Sequence, residues 1–342
     1  MTTIVDVARM ANVSVSTVSH VMNGTKKVSD ETRMRVETAI KESQFTPHQM
    51  ARSLRSGRTK TIGLVVSDTS QFIFGQVISQ VEQGIRTAGQ TLVLANSGED
   101  ATQEKQVVQT LLDHRVDGMI IAPVADSDPA IFELCAAADC PVVVIDRISG
   151  RGIDRVGIDN EAAMRSLTRH LIDAGHKRIA LIAGDVGVST LRERADGYLN
   201  ALDEAGLPVH TELLVTTDRG LGDHHREIET LLSQPSRPTA MIAASGLLTL
   251  GALRAFRDVE LTVPRDIAFV SFDGVMNSEF IEPQLTCYLH PVEAIGREAA
   301  KLLARRLADR NAMPVTIRVP GALFHGTSCG CGGLVPLTMV AP

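Results

Sequence analysis

The chain has 342 residues, 44% hydrophobic and 22% charged, which excludes a disordered polymer and, at roughly 100–200 residues per domain, predicts two or three domains. Aromatic residues make up only 3%, with no Trp, so any core must be filled by Val, Ile, Leu and Ala. The formal charge of −6 argues against a nucleic-acid partner until it is divided: residues 1–60 hold 10 Lys and Arg against 5 Asp and Glu, the remainder 24 against 35.

Three short helices are predicted in residues 1–46. Thr3 caps the first, which runs to Arg9–Ala11, with Asp6 as the acidic half of a capping pair and Ile4, Val7, Ala8 and Ala11 at helical spacing. Asn12-Val13-Ser14 breaks it. Ser14 caps a second helix, VSTVSHVM, with Val18, Val21 and Met22 as its buried stripe, and Asn23-Gly24 ends it. Ser29, followed by Asp30 and Glu31, starts a third helix whose Val36 and Ile40 face inward. Two helices joined by a tight turn and braced by a third make a helix-turn-helix. The second helix leaves Val15, Ser16, Thr17, Ser19 and His20 outside the packing stripe. They are short or polar, as a helix approaching base edges in the major groove requires. Alone they would read as caps and surface residues; the basic flanks and the spacing of the other helices favour DNA.

Residues 47–60 follow as a hinge. Pro47 and Gly57 delimit a helix of about ten residues, shorter than the roughly 12–15 that are stable alone in water. It carries Arg52, Arg55, Arg58 and Lys60 beside Met50 and Leu54. The bland reading is a linker. A Leu among arginines also fits a wedge between base steps in the minor groove.

From residue 61 to 328, short aliphatic strands alternate with helices. Strands are predicted at 62–68, 91–97, 118–123, 141–146 and 155–159, then at 178–184, 212–217, 239–245 and 266–273. Continuous apolar strands between helices imply parallel sheets covered on both faces, here in two similar lobes. Ligands bind such sheets beyond the carboxyl ends of strands, so the polar residues there, Asp146, Arg147, Asp273 and nearby Arg194, are candidate contacts. Residues 329–342 form a tail without an apolar heptad, so no coiled coil is expected.

The run TIVDVARMANVSVSTVSHVMNG, then ARSLRSG, then TIGLVV resembles the lactose/purine-repressor (LacI/GalR) family of bacterial transcription regulators, in order from residue 2 to about 328. The resemblance implies an all-α helix-turn-helix head joined to an α/β two-lobed, periplasmic-binding-protein-like domain with parallel sheets. It implies a homodimeric repressor on a palindromic operator of double-stranded DNA, controlled by a small-molecule effector, a sugar, sugar acid or similar. DNA contacts are then expected from Thr3, Ser14, Val15, Ser16, Thr17, His20 and Asn23, and in the minor groove from Ala51, Leu54 and Arg55, with Leu54 at a central CpG step. Effector contacts are expected from Ile73, Phe74, Asp146, Arg147, Thr190, Arg194, Arg219 and Asp273. Two departures bear on the ligand. Ser245-Gly246 stands where many members carry Asn-Asp, and the ring-stacking Trp of some members is missing, leaving Phe74 or Phe72 as an aromatic face. These departures, with Arg147, Arg194 and Arg219 as counter-charges, point to an effector smaller or more anionic than a neutral hexose.

Other classes find little support. No apolar run reaches the roughly 18–20 residues of a membrane span, and Asp6 interrupts any leader, so a cytoplasmic, nucleoid-associated protein is expected. Five scattered Cys read as free thiols. Cys329-Gly330-Cys331 lacks the usual zinc-knuckle gap and has no neighbouring His-Cys set, and Asp223-His224-His225 reads as a solvated helix start, so neither metal nor cofactor is expected. Gly184-Asp185-Val186-Gly187 lacks the remaining glycines or Lys of a nucleotide loop, and no G-x-S-x-G appears, so no enzyme is expected. A solute-binding protein of the same two lobes is the main rival, and it would have no use for residues 1–60.

Overall fold

A computed structural model describes residues 2–23, 26–45, 58–148, 152–216, 224–274 and 282–331. They form two compact units, Met1–Thr59 and Lys60–Pro342. Ala51, Leu54, Arg55 and Arg219 lie outside the described residues, as does the side chain of Asn23.

The first unit holds α1 (Ile4–Met10), α2 (Val15–Asn23) and α3 (Asp30–Ser43). Thr3 and Asp6 make the reciprocal capping box at the start of α1. The helix ends in a left-handed Asn12 (φ +50°) whose N–H donates to Arg9, while Val13 N–H donates to Ala8. Both orphan carbonyls are thereby satisfied, and the turn reverses the chain into α2. Ser14 and Ser29 cap α2 and α3, accepting from Thr17 N at 3.1 Å and Thr32 N at 3.3 Å. Val7, Ala8, Ala11, Val18, Val36 and Ala39 form the core, with Val21, Met22 and Ile40 at its edge.

The second unit begins β1 (Thr61–Val66), α4 (Phe72–Thr87), β2 (Thr91–Asn96), α5 (Ala101–Asp113), β3 (Gly118–Ile121), α6 (Ala130–Ala137), β4 (Val142–Ile145) and β5 (Asp154–Gly157). The pattern repeats with α7 (Asn160–Asp173), β6 (Ile179–Gly184), α8 (Ser189–Glu204), β7 (Leu214–Thr216), α9 (His225–Leu232), β8 (Ala240–Ala243), α10 (Gly246–Asp258), β9 (Ala268–Phe272) and β10 (Thr286–Leu289). Then come α11 (Val292–Ala308), β11 (Thr316–Arg318) and β12 (Ala322–Phe324).

These strands make two six-stranded sheets, ordered β11-β5-β4-β3-β1-β2 and β12-β10-β9-β8-β6-β7. Pairing is parallel throughout except β10 with β12. The last helix packs on α4 and against β3, β4 and β5, returning to the first lobe. The chain therefore passes between lobes three times, near 158–159, 290–291 and 319–321.

The apolar runs are explained by two-faced burial. Ile62, Leu64, Ile120, Val143 and Ile145 share one core with Val77, Val81 and Ala299 of the covering helices. The alternate residues Val65, Met119, Ile121 and Val144 join a second core with Val108, Leu111 and Ile131. Each such side chain is worth about 1.5–3 kcal/mol in burial, and Ile120→Ala would cost about 2–5 kcal/mol.

Three expectations change. The strand at 91–97 is not covered on both faces: β2 is an edge, and Val93 and Leu94 are 39% and 45% exposed. Strands β10, β11 and β12 were not legible, being short segments that only close the sheets. Free thiols hold for Cys135, Cys140 and Cys287, which burial pushes up to about 12. Cys329 and Cys331 are instead joined as a disulfide, because left-handed Gly330 (φ +66°) turns the chain back and leaves the flanking Cα atoms 5.4 Å apart. Among the described residues no helix is long and apolar enough to cross a membrane.

Candidate DNA-binding and effector-binding sites

The start of α2 presents the expected DNA contacts. Ser14, Val15 and Ser16 are exposed, and Thr17 and His20 are half-buried. The Ser14 hydroxyl lies 2.7 Å from Ser16 Oγ and 2.8 Å from Thr17 Oγ1, so one polar cluster covers the helix N-terminus. Ser19, expected outside the packing stripe, is instead buried. Thr3 is exposed but already engaged: its hydroxyl donates to the Asp6 carboxylate at 2.7 Å, and that bonding holds Asp6 below the usual carboxylate range. Lys26, Lys27, Arg33 and Arg35 are exposed around this head, and Arg35 also donates to Asn12 O at 3.3 Å, bracing the turn. Exposed cations and an exposed helix N-terminus on one small head suit phosphate and base edges.

In the second unit the candidate effector residues gather at strand ends. Asp146 follows β4 and Asp273 follows β9, both with φ of +64°. Thr190 lies buried in the first turn of α8, and Arg194 one turn further on is almost fully buried. Arg194 Nε donates to Asn160 Oδ1 at 2.9 Å and Nη1 to Ala244 O at 2.7 Å, while its guanidinium sits 3.5 Å over the Phe272 ring. Burial pushes this guanidinium below its ordinary pKa, and the charges of Asp273 and Asp146 oppose that shift. Asp146 belongs to the first lobe and Arg194 to the second, so a carboxylate from each lobe supports the Arg194 cation.

Arg147 is placed differently from the expectation of an open counter-charge. Its guanidinium makes a bidentate pair with Glu99 at 2.7 and 2.8 Å and donates to Pro123 O at 2.9 Å. Burial works against the cation, but Glu99, Asp146 and Glu104 together outweigh it and hold the pKa above its ordinary value. Its charge is already cancelled. Phe74 is buried in the first-lobe core, with Ile73 half-buried beside it and Phe72 44% exposed at the start of α4. Ser245 caps α10, accepting from Leu248 N at 3.4 Å, and leaves no carboxylate there.

Several partners were invisible to sequence reasoning. His290, at the second crossover, bonds through Nδ1 to Asp273 Oδ1. Asn160, just past the first crossover, bonds to both Arg194 and Glu193, the latter at 2.8 Å. Arg318, at the third, donates to Ile158 O at 2.5 Å and pairs with Glu193 at 3.5 Å. Every crossover is thus tied to Glu193, Arg194 or Asp273. The pairings span 17 to 160 residues and carry no local signature.

Residues 3–48 match the family described as "Bacterial regulatory proteins, lacI family", and residues 59–327 match "Periplasmic binding proteins and sugar binding domain of LacI family". The chain belongs to the LacI family. The HTH-type transcriptional repressor PurR of Yersinia pestis bv. Antiqua (strain Antiqua) is 35% identical over 335 residues, 97% of this chain and 98% of its own length. Among solved structures, the Lac repressor dimer bound to operator and the anti-inducer ONPF aligns with a TM-score of 0.85 at 26% identity, covering 96% of this chain and 99% of that one. The transcriptional regulator CelR in complex with cellobiose aligns at 0.72 and 31%, covering 96% and 100%. As a LacI-family repressor, this chain combines a helix-turn-helix DNA-binding domain with a two-lobed ligand-binding domain. The family is one of regulators rather than enzymes, and the match at residues 3–48 removes the solute-binding alternative.

Proposed function

We propose that the chain acts in the cytoplasm as a homodimeric repressor of a palindromic operator, released or recruited by a small polyhydroxylated effector held between Asp146 and Asp273. The observation that carries the effector reading is the placement of Asp146 and Asp273 at equivalent strand ends of the two lobes, with the buried Arg194 guanidinium feeling the charge of both. With Arg147 paired to Glu99 and Arg318 to Glu193, the described residues there set Asp146 and Asp273 against Arg194 and the His290 imidazole. That balance favours hydroxyl donors over an added anion, so a neutral sugar fits better than a sugar acid. Ile73, Phe74 and Thr190 would supply the walls, and Arg147 would act by holding Glu99 in place. Arg219 remains a contact expected on resemblance alone.

Each lobe also leaves apolar side chains uncovered, Val93 and Leu94 on β2 and Leu247 and Leu250 on α10. A second copy of the chain covering them would give the two-fold symmetry that a palindrome requires. Base reading falls to Val15, Ser16, Thr17, His20 and Asn23, with Thr3 and Ser14 on the backbone. Ala51, Leu54 and Arg55 would enter the minor groove between half-sites. Fluorescence anisotropy on a palindromic duplex with a central CpG tests this. Affinity should fall steeply with salt, and Leu54→Ala should weaken it; a flat salt response with no effect of Leu54→Ala contradicts the reading.

A further inference from the structure

At the end of the second sheet, outside the cleft, stands a His-Cys set not expected from sequence beside Cys329 and Cys331. His170 lies in the last turn of α7, and His325 directly follows β12. Their rings meet edge to face with centroids 4.8 Å apart. The ligating atoms of His170, His325 and Cys331 all lie within 4.8 Å of one another, and Cys329 Sγ is joined to Cys331 Sγ. Among the described residues, the buried His170 Nε2 has no hydrogen-bond partner. A buried donor or acceptor left unmade costs about 1–3 kcal/mol, so an orphaned imidazole nitrogen on a ring beside His325 and Cys331 calls for an occupant.

We propose that His170, His325, Cys329 and Cys331 bind one thiophilic divalent metal ion of the zinc type when the cysteines are reduced. Two imidazoles and two thiolates are a closed tetrahedral donor set, with ligand atoms about 3.3–3.8 Å apart at ordinary Zn–N and Zn–S lengths. His170, His325 and Cys331 lie within 4.8 Å of one another and would draw in by about 1 Å, while the joined sulfurs of Cys329 and Cys331 separate as their bond opens. The scaffold beneath is held firmly. Buried Ser328 accepts from Thr286 N at 2.9 Å and donates to Phe269 O at 2.6 Å, and Thr327 N donates to Gln284 O at 2.8 Å. Gly326 packs so closely on Gln284 that a Cβ there would lie 2.2 Å from its carbonyl oxygen. Left-handed Gly330 turns the chain between the two joined cysteines.

Loading begins with reduction. Two equivalents of a low-molecular-weight thiol donate two electrons and two protons to the Cys329–Cys331 bond and leave as their own disulfide. Metal binding then displaces both thiol protons to solvent. The bound ion would clamp the segment 325–331 to α7, so the site doubles as a redox-gated brace on the second lobe.

The test uses the full chain, stripped of metal and reduced without air, titrated with Zn2+ against a chromophoric chelator and separately with Co2+. One ion should bind per chain, and cobalt should show the intense visible bands of tetrahedral thiolate coordination. Cys331→Ser and His170→Gln should each weaken binding at least about 100-fold, the upper end of the loss seen on removing a mere outer-shell partner. The disulfide form should bind none. His325→Gln stands in if His170→Gln fails to fold by circular dichroism. No stoichiometric uptake by the reduced chain, octahedral cobalt, or affinity unchanged by both His substitutions would overturn the proposal.

Discussion

Asp146 and Asp273 are structural counterparts in the two lobes. Each follows the strand third from the late-arriving edge strand, each has φ of +64°, and each donates its N–H to the neighbouring strand, to Val156 O at 3.1 Å and Tyr288 O at 3.0 Å. Asp tolerates this left-handed conformation better than most residues, and it aims the carboxylate beyond the sheet. The duplicated lobes thus supply one acidic group each.

Asp273→Asn keeps the left-handed preference and removes the charge. A hydrogen bond to a charged group is worth about 1.5–3 kcal/mol, so effector affinity should fall roughly 10–150-fold with little change in melting temperature. Calorimetry with a sugar identified by thermal-shift screening measures it. Unchanged affinity would remove Asp273 from the site.

Arg194 joins α8 to Asn160, Ala244 and the Phe272 face, so it is structural as well as a ligand candidate. Arg194→Ala strands buried acceptors at about 1–3 kcal/mol each, and Arg194→Lys should rescue little, because an ammonium lacks the planar fork. Urea denaturation at neutral pH should show both variants destabilised.

The Glu99–Arg147 pair is bidentate, with Arg147 buried and Glu99 half-buried, and its members are 48 residues apart. Glu99→Ala leaves a buried guanidinium unpaired and should cost about 3–5 kcal/mol, whereas replacing both members with apolar residues should recover most of that loss. A double-mutant cycle in urea separates the two. Equal losses in the single and double variants would contradict a paired role.

Glu104 is buried, accepts from Val124 N at 2.9 Å, and has its carboxyl pKa raised by burial. A raised folded-state pKa means protonation favours the fold. The contribution is full below the unfolded value of 4.5 and is lost as pH rises through the folded one. Glu104→Gln should therefore match or exceed the wild type in melting temperature at pH 7, and the difference should shrink towards pH 4.5. A wild-type advantage that grows with pH would reverse the assignment.

The sequence carried some parts of this molecule openly and hid others. Thr3, Ser14 and Ser29 were legible as caps because capping acts within three residues. The apolar runs at 62–66 and 240–243 were legible because burial on both faces removes the polar alternation. The strand predicted at 91–97 reads as equally buried, since hydropathy does not report which strand ends up at an edge. Glu99 closing on Arg147, His290 on Asp273 and His325 on His170 are tertiary pairings set by sheet order. Leu54, read as a wedge from the arginines around it as well as from the resemblance, and Arg219 both lie outside the described residues.

The most direct measurement is reciprocal linkage. Fluorescence anisotropy gives the affinity of the full chain for a selected palindromic duplex with and without the effector, and calorimetry gives effector affinity with and without the duplex. A two-lobed domain coupled to its head should show the same factor in both directions, about 5–150-fold, vanishing in Asp273→Asn. Effector binding of equal strength on free and operator-bound chain would contradict a ligand-controlled repressor.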